Sequence, residues 1–379
     1  MKKFLLIPDS FKGTMSSAEI CGIMAKSLRR HFPDAEIRSI PVADGGEGTV
    51  DAFLTAMGGE KVSLTVTGPL GAPVDAFYGR IGDTAIVEMA AAAGLPLIPG
   101  ALDPEGATTY GVGQLIRHAL SHGAKRLVVG LGGSATTDGG CGAASALGVQ
   151  FYNAGGEAFV PVGGTLKDIA KIDLSGRDPL LVQAEVVTMC DISNPLAGPH
   201  GAAYVFSPQK GADEAAVKRL DNGLVHLAEV VRAQLGREIE TMPGAGAAGG
   251  MGGGMAAFLG SRLEMGIDTV LHTVGFDALL EDASLVFTGE GKIDSQSLGG
   301  KVVIGVARQA KLHQVPVFAI VGDIGDPIED AYSQGITGIF SINRVAVPYA
   351  QAKPRAKEDL RRTMDNLCRV LKALPVLPE

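Results

Sequence analysis

RLVVGLGGSATTDGGCGAASAL, residues 126–147, runs from an apolar stretch through a glycine-rich turn into a second stretch of small apolar residues. Arg126 to Leu131 is continuously apolar after its first residue, which suits a strand buried on both faces of a parallel sheet. Gly132-Gly133-Ser134-Ala135-Thr136-Thr137-Asp138-Gly139-Gly140 breaks that strand, and Cys141 to Leu147 predicts the helix after it. Strand, glycine loop and helix in succession are the building unit of an α/β fold, whose ligands meet the loops at the strand C-termini.

The same grammar extends outward in both directions. Phe4 to Ile7 predicts a strand that opens into Asp9-Ser10-Phe11-Lys12-Gly13. Ser16 and Glu19 form a capping-box signature, and Ile20, Ile23, Met24 and Leu28 then share one helical face. Glu36 to Val42 is the next strand, running into Asp44-Gly45-Gly46-Glu47-Gly48. Val112, Leu115, Ile116, Ala119 and Leu120 mark a helix stopped near Gly123, and Val182 to Met189 predicts a strand ending at Cys190-Asp191. A long amphipathic helix carries Val217, Leu220, Leu224, Leu227 and Val231. The glycine-rich stretch Pro243 to Gly254 comes next. Leu285 to Phe287 and Val315 to Val321 are strands, Val302 to Ala310 a helix, and Leu360, Met364, Leu367 and Leu371 the core face of a terminal helix. Thr67-Gly68-Pro69-Leu70-Gly71 instead signals a hairpin. The fold expected is two α/β domains: a parallel-sheet domain from both chain ends, residues 1–60 and 285–379, and a second domain, residues 61–284, inserted between them.

Composition narrows the function. The 379 residues include 53 glycines, clustered at the ends of apolar runs where turns and close approach to a ligand require them. A net charge of −8, with no tryptophan, argues against a nucleic-acid surface. Cys21, Cys141, Cys190 and Cys368 are too far apart for a CxxC zinc site and read as reduced, buried thiols. The apolar start ends at Pro8-Asp9, too short for a signal peptide. The uncharged stretch Thr241 to Ser261 is dominated by glycine and is a poor bilayer span. These features together predict a cytoplasmic protein without membrane or nucleic-acid partners, and they leave monomer and homodimer equally open.

No GxxxxGK[ST] phosphate loop, protein-kinase HRD or DFG, HExxH or GxSxG motif occurs. A GxGxxG-like string appears only within Gly244 to Gly254, with no suitable strand before it. Present instead are five strand-end loops of one character: Asp9–Gly13, Asp44–Gly48, Gly133–Asp138, Asp191–Asn194 and Glu290–Asp294. Glycines let backbone N–H groups face an anion, acids hold Mg²⁺ or accept a hydroxyl proton, and lysines neutralise phosphate. Phosphoryl transfer needs those three parts together. Each loop has a plain reading as well, because an Asp after a strand is often a helix cap and Gly-Gly pairs are usually turns. Lys210 reads equally as a solvated turn lysine, and Met251 and Met255 as packing.

At these loops the chain resembles the bacterial glycerate kinase family of the type that makes 2-phosphoglycerate. The matching stretches are PDSFKG (8–13), PVADGGEGT (41–49), VTGPLG (66–71), GLGGSATTDGG (130–140), CDISNPL (190–196), PQKGA (208–212), PGAGAAGGMG (243–252) and FTGEGKIDSQS (287–297), in the family's order along nearly the whole chain. Three positions depart from the pattern: Thr137 where Asn is usual, Lys292 where Arg is usual, and Ser207 where a Gly precedes PQKG.

The resemblance implies ATP and Mg²⁺ as co-substrate and cofactor, D-glycerate as acceptor, and a flavodoxin-like domain joined to an inserted α/β domain with the site in the cleft between them. On this reading Asp191 is the first choice of general base, Asp44 the second, and Lys292 a catalytic cation. Ser134, Thr136, Thr137, Asp138 and Asn194 are expected around the substrate. Lys12, Gly45, Gly46, Gly132, Gly133 and Lys301 are expected on the ATP phosphates, and Asp9, Glu290 and Asp294 near Mg²⁺. Two other readings share the fold: a glycerate 3-kinase giving 3-phosphoglycerate, and a non-catalytic sugar-acid or nucleotide sensor.

Overall fold

A computed structural model describes residues 2–43, 45–295 and 297–373. The chain divides into two compact units, one of residues 1–43, 55–57 and 267–379, the other of residues 44–54 and 58–266.

The first unit is built on five strands in the order Gly338–Ser341, Val317–Val321, Leu285–Gly289, Lys3–Pro8, Glu36–Ser39. Every neighbouring pair is parallel. Counted along the chain this is the 2-1-3-4-5 order of flavodoxin-like sheets. The direction of winding reverses between Lys3–Pro8 and Leu285–Gly289, paired from Phe4↔Leu285 to Pro8↔Gly289. Both strands are buried throughout, as the unbroken apolar runs require. The Ser17–His31 helix starts on the expected capping box, with the Ser16 side chain accepting from Glu19 N. Its Ile20, Met24 and Leu28 join Leu360, Met364 and Leu367 of the Ala356–Ala373 helix in one core. Ser17 Oγ donates to Pro8 O at 2.6 Å and accepts from Val42 N at 2.9 Å, tying together the segments that follow the first two strands.

The second unit has a mixed six-stranded sheet in chain order: Glu60–Thr67, Pro73–Ile81, Thr84–Glu88, Arg126–Gly130, Glu185–Met189, Arg262–Glu264. The first two pairings are antiparallel and the other three parallel. The hairpin expected at Thr67–Gly71 closes the first pair, with Gly68 N donating to Ala72 O at 2.7 Å. The Tyr110–Ser121, Cys141–Ala146 and Glu214–Leu235 helices carry the apolar faces anticipated for them into one core, with Met251 and Met255 fully inside.

One local expectation is corrected. The strand predicted from Val182 begins only at Glu185, because Asp178 caps a short helix, Pro179–Gln183, by accepting from Leu180 N at 2.9 Å. Asp-Pro at a helix start overrides the β preference of one valine, whose side chain is left exposed. The glycine-rich stretch is also helical over Ala247–Gly254, interrupted by left-handed Ala248, Gly249 and Gly250. It is wholly buried, so its GxGxxG-like spacing serves packing. No helix among the described residues is long and apolar enough to cross a membrane.

Candidate active site

In an open parallel sheet, ligands bind beyond the strand C-termini where the winding reverses. In the first unit that rule selects the loops after Pro8 and Gly289. Asp9 N donates to Gly289 O at 2.7 Å, which fixes the two loops side by side. A Cβ on Gly291 would lie 3.5 Å from Lys12 N, an ordinary contact distance, so the two loops run alongside each other there. An open hollow of ≈ 450 Å³ lies beside them, lined by Ser10, Lys12, Thr14, Ser16 and Glu19 among others.

Glu290 is the unusual group in this set. Its residue is 6% exposed, and its Oε1 has no hydrogen-bond partner among the described residues. Burial pushes the carboxyl up to about 7, against the downward pull of the Ser297 hydroxyl and the Lys301 charge, while Asp9 and Asp294 push the same way as burial. Lys292 Nζ lies 3.8 Å from Asp294 Oδ2 and is half exposed. Lys301 precedes the Val302–Leu312 helix. The structure thus brings Asp9, Lys12, Glu290, Lys292, Asp294 and Lys301 to one sheet end. No group of three metal-ligating side chains closes among the described residues. Mg²⁺ does not require one, because it keeps its waters and takes one or two carboxylates together with substrate phosphates. A buried carboxylate oxygen with no partner among the described residues fits that kind of site.

In the second unit the corresponding feature is a contact between two glycine loops. Gly132 N donates to Gly45 O at 2.9 Å. A Cβ on Gly132 would lie 2.4 Å from Gly46 Cα, and one on Gly130 would lie 2.3 Å from Gly45 O, so neither position admits a side chain. The loop continues as an extended segment, with Leu95 N donating to Gly133 O and Ala135 N to Ala93 O. The Asp44–Gly48 loop is held from its other end by Glu88, whose Oε1 accepts from Val50 N at 2.5 Å. Asp44 itself lies outside the described residues.

Of the expected substrate residues, Ser134 is nearly buried, and Thr136, Thr137 and Asp138 are fully so. The Asp138 carboxylate accepts from Thr109 N, Thr109 Oγ1, Gly140 N and Gly142 N at 2.7–3.2 Å. Burial pushes this carboxyl above its ordinary range, and the same four donors oppose the shift. The group organises the turn into the Cys141–Ala146 helix. Thr137 Oγ1 and Ser207 Oγ lie 3.2 Å apart, so two of the three departures from the family pattern touch each other. Asn194 donates from its amide to His200 O at 2.8 Å. Asp191, exposed after the Glu185–Met189 strand, accepts from Gly266 N at 2.6 Å.

Two residues escaped the sequence reading. Glu88, the last residue of the Thr84–Glu88 strand, is not singled out by any motif. Lys210 looked like a turn lysine, yet it is 2% exposed, with Nζ donating to Ser134 Oγ at 2.8 Å and to Thr136 O at 2.6 Å. Burial pulls this ammonium down to about 7, with the Asp138 carboxylate opposing the shift. The only signal in the sequence was the PQKGA stretch itself.

A flavodoxin-like sheet with acids and lysines at its switch point, together with paired glycine loops in a second α/β unit, defines an enzyme of the phosphotransferase kind. The chain belongs to the glycerate kinase family, whose model matches residues 4–372. It is 44% identical to a protein named glycerate 2-kinase from Escherichia coli (strain K12), over 97% of this chain and 95% of that one. It is also 44% identical to a glycerate kinase from Bacillus subtilis (strain 168), over 98% of both. A crystal structure assigned to glycerate kinase 2 from Salmonella typhimurium LT2 superimposes with a TM-score of 0.86 at 42% identity, covering 98% of each chain.

Proposed function

We infer that this protein transfers a phosphoryl group from ATP to the 2-hydroxyl of D-glycerate, giving 2-phosphoglycerate and ADP. The observation that carries this reading is family membership over residues 4–372. The chemistry of the loops agrees with it. Phosphoryl transfer depends on positioning and charge neutralisation more than on covalent help, and both units supply groups for those tasks.

We assign the phosphate side to the first unit, where Lys12 and Lys301 offer positive charge and the Gly291 loop offers backbone. Glu290, with Asp9 or Asp294, is assigned to Mg²⁺, which when bound neutralises charge on the phosphates. Lys292 supplies a mobile cation; an ammonium lacks the bidentate geometry of the guanidinium usual at this position, though not its charge. The acceptor side is assigned to the second unit. Gly132 and Gly133, expected on the ATP phosphates, are assigned instead to an anionic group of the acceptor because they form one loop with the Ser134 hydroxyl, and Asp191 takes the hydroxyl proton. The carboxylate of Asp191 already holds Gly266 N, and Asn at this position retains that acceptor while losing the base. Four buried free thiols support a reducing, cytoplasmic setting.

The test is product identity. With ATP, Mg²⁺ and D-glycerate, coupling through enolase alone should report turnover without added phosphoglycerate mutase. A signal that appears only when mutase is added would identify 3-phosphoglycerate as the product and overturn the assignment of the 2-hydroxyl.

A further inference from the structure

Lys210 ends a short turn, Pro208–Lys210, and Gly211 follows in left-handed conformation at φ +97°, so the backbone fixes where the side chain enters the unit. The ammonium forms no ion pair among the described residues, although it is buried. Burying a lysine without a paired acid is costly, and its two hydrogen bonds only partly offset that cost. Both bonds go to one segment, reaching Ser134 Oγ and Thr136 O, which lie 76 and 74 residues earlier in the chain.

The direction of the first bond has a chemical consequence. A hydroxyl has one proton and two lone pairs. In its protonated form, which an anion bound over the loop favours, the lysine can only donate, so it occupies a lone pair of Ser134 Oγ and leaves the Ser134 proton for another acceptor. No other partner of this hydroxyl is found among the described residues. Ser134 directly follows Gly133, a residue exposed at the tip of the loop. The second bond, to Thr136 O, holds the backbone on the far side of Ser134, so the hydroxyl is fixed in position as well as in orientation.

We propose that Lys210 is a positioning residue for the acceptor, its ammonium presenting the Ser134 hydroxyl as a hydrogen-bond donor to the carboxylate of the bound hydroxy acid. This rests on the reading of the Gly132–Ser134 loop as acceptor-binding. Lys210 touches neither substrate and acts through Ser134. The positive charge beneath the loop also favours an anionic over a neutral acceptor, so the effect of Lys210 is larger for a hydroxy acid than for its amide.

The experiment compares Ser134→Ala, Lys210→Met, Lys210→Gln and the Ser134→Ala, Lys210→Met double variant in steady-state kinetics with ATP and glycerate varied separately. Folding is followed by near-ultraviolet circular dichroism. Expected for Lys210→Met is a rise of at least ten-fold in KM for glycerate, with KM for ATP within two-fold of the parent. The double variant should be no worse than the poorer single variant, because the two residues act as one unit. Lys210→Gln retains a shorter donor and should fall between parent and Lys210→Met. A purely structural lysine would lower the active fraction, and so kcat, with both KM values unchanged; that result overturns the proposal. If Ser134→Ala leaves KM for glycerate unchanged, the reading of the loop itself fails. If Ser134→Ala raises KM while a folded Lys210 variant does not, only the role of Lys210 fails. Failure of both Lys210 variants to fold assigns the lysine to the scaffold and also overturns the proposal.

Discussion

The ionisation of Lys210 leads to a stability prediction separate from its kinetic role. Burial lowers the folded-state pKa from the ordinary 10.5 to about 7. Below pH 7 the fold holds an ammonium in its interior and the full cost is present. Between 7 and 10.5 the folded protein has released that proton while the unfolded chain keeps it, so the unfolded state binds more protons and stability rises with pH. Lys210→Met has no such group. The stability of the parent relative to this variant, measured by urea titration, should therefore increase as pH is raised through that window; a flat difference would contradict the assigned shift. The Thr137–Ser207 pair makes a second prediction at this scale. Both residues are fully buried and bonded to each other. Thr137→Asn and Ser207→Gly should each destabilise by about 1–3 kcal/mol, by leaving a buried polar group unpaired or a space unfilled. Together they should couple by about 1 kcal/mol in a double-mutant cycle, whereas independent sites would simply add.

Among the elements, the strand–loop–helix units were readable because each is decided locally. Unbroken apolar runs, the Ser16–Glu19 capping box and the Gly68 turn carry their own physics within a few residues. The Val182 strand was misread where a neighbouring Asp-Pro mattered more than β-branching. The roles of Glu88 and Lys210 were not legible, since each acts on a loop 38 or 76 residues away, a separation that no local pattern encodes. Ser134 was singled out in the sequence, but the burial of Thr136, Thr137 and Asp138 beside it was not, because alternation cannot be counted through a glycine turn. The Ala247–Gly254 helix was hidden for the same reason, and it can be tested directly. Gly249 has φ +68°, and a Cβ there would lie 2.0 Å from Thr136 O. Gly249→Ala should cost on the order of 3 kcal/mol, combining left-handed strain with a forced backbone shift. Ala248 is already left-handed at φ 53°. Relief of about 1–2 kcal/mol of strain in Ala248→Gly outweighs the roughly 0.5–1 kcal/mol of added chain entropy, so that variant should be slightly stabilised. Chemical denaturation of both variants gives the two signs side by side.

Over the whole molecule, the two units have different histories along the chain. The first is assembled from both ends, its strand Lys3–Pro8 pairing with Leu285–Gly289, while nearly all of the second is one continuous run of residues. We propose that this division is also a division of labour, nucleotide on the first unit and acceptor on the second. The assignment predicts which amides each ligand protects in hydrogen exchange. A non-hydrolysable ATP analogue with Mg²⁺ should slow exchange in residues 9–13 and 290–295, the loops at the switch point of the flavodoxin-like sheet. D-Glycerate alone should slow exchange in residues 132–135 and 191–194, and its effect on 132–135 should weaken in Lys210→Met. The ordering follows from chemistry, because the switch-point loops combine lysines with a buried carboxylate, that of Glu290, suited to a metal–phosphate complex. The Gly132–Ser134 loop instead offers neutral donors over one buried positive charge, which suits a single carboxylate. Protection of residues 9–13 by glycerate, or of 132–135 by the nucleotide alone, would reverse the assignment.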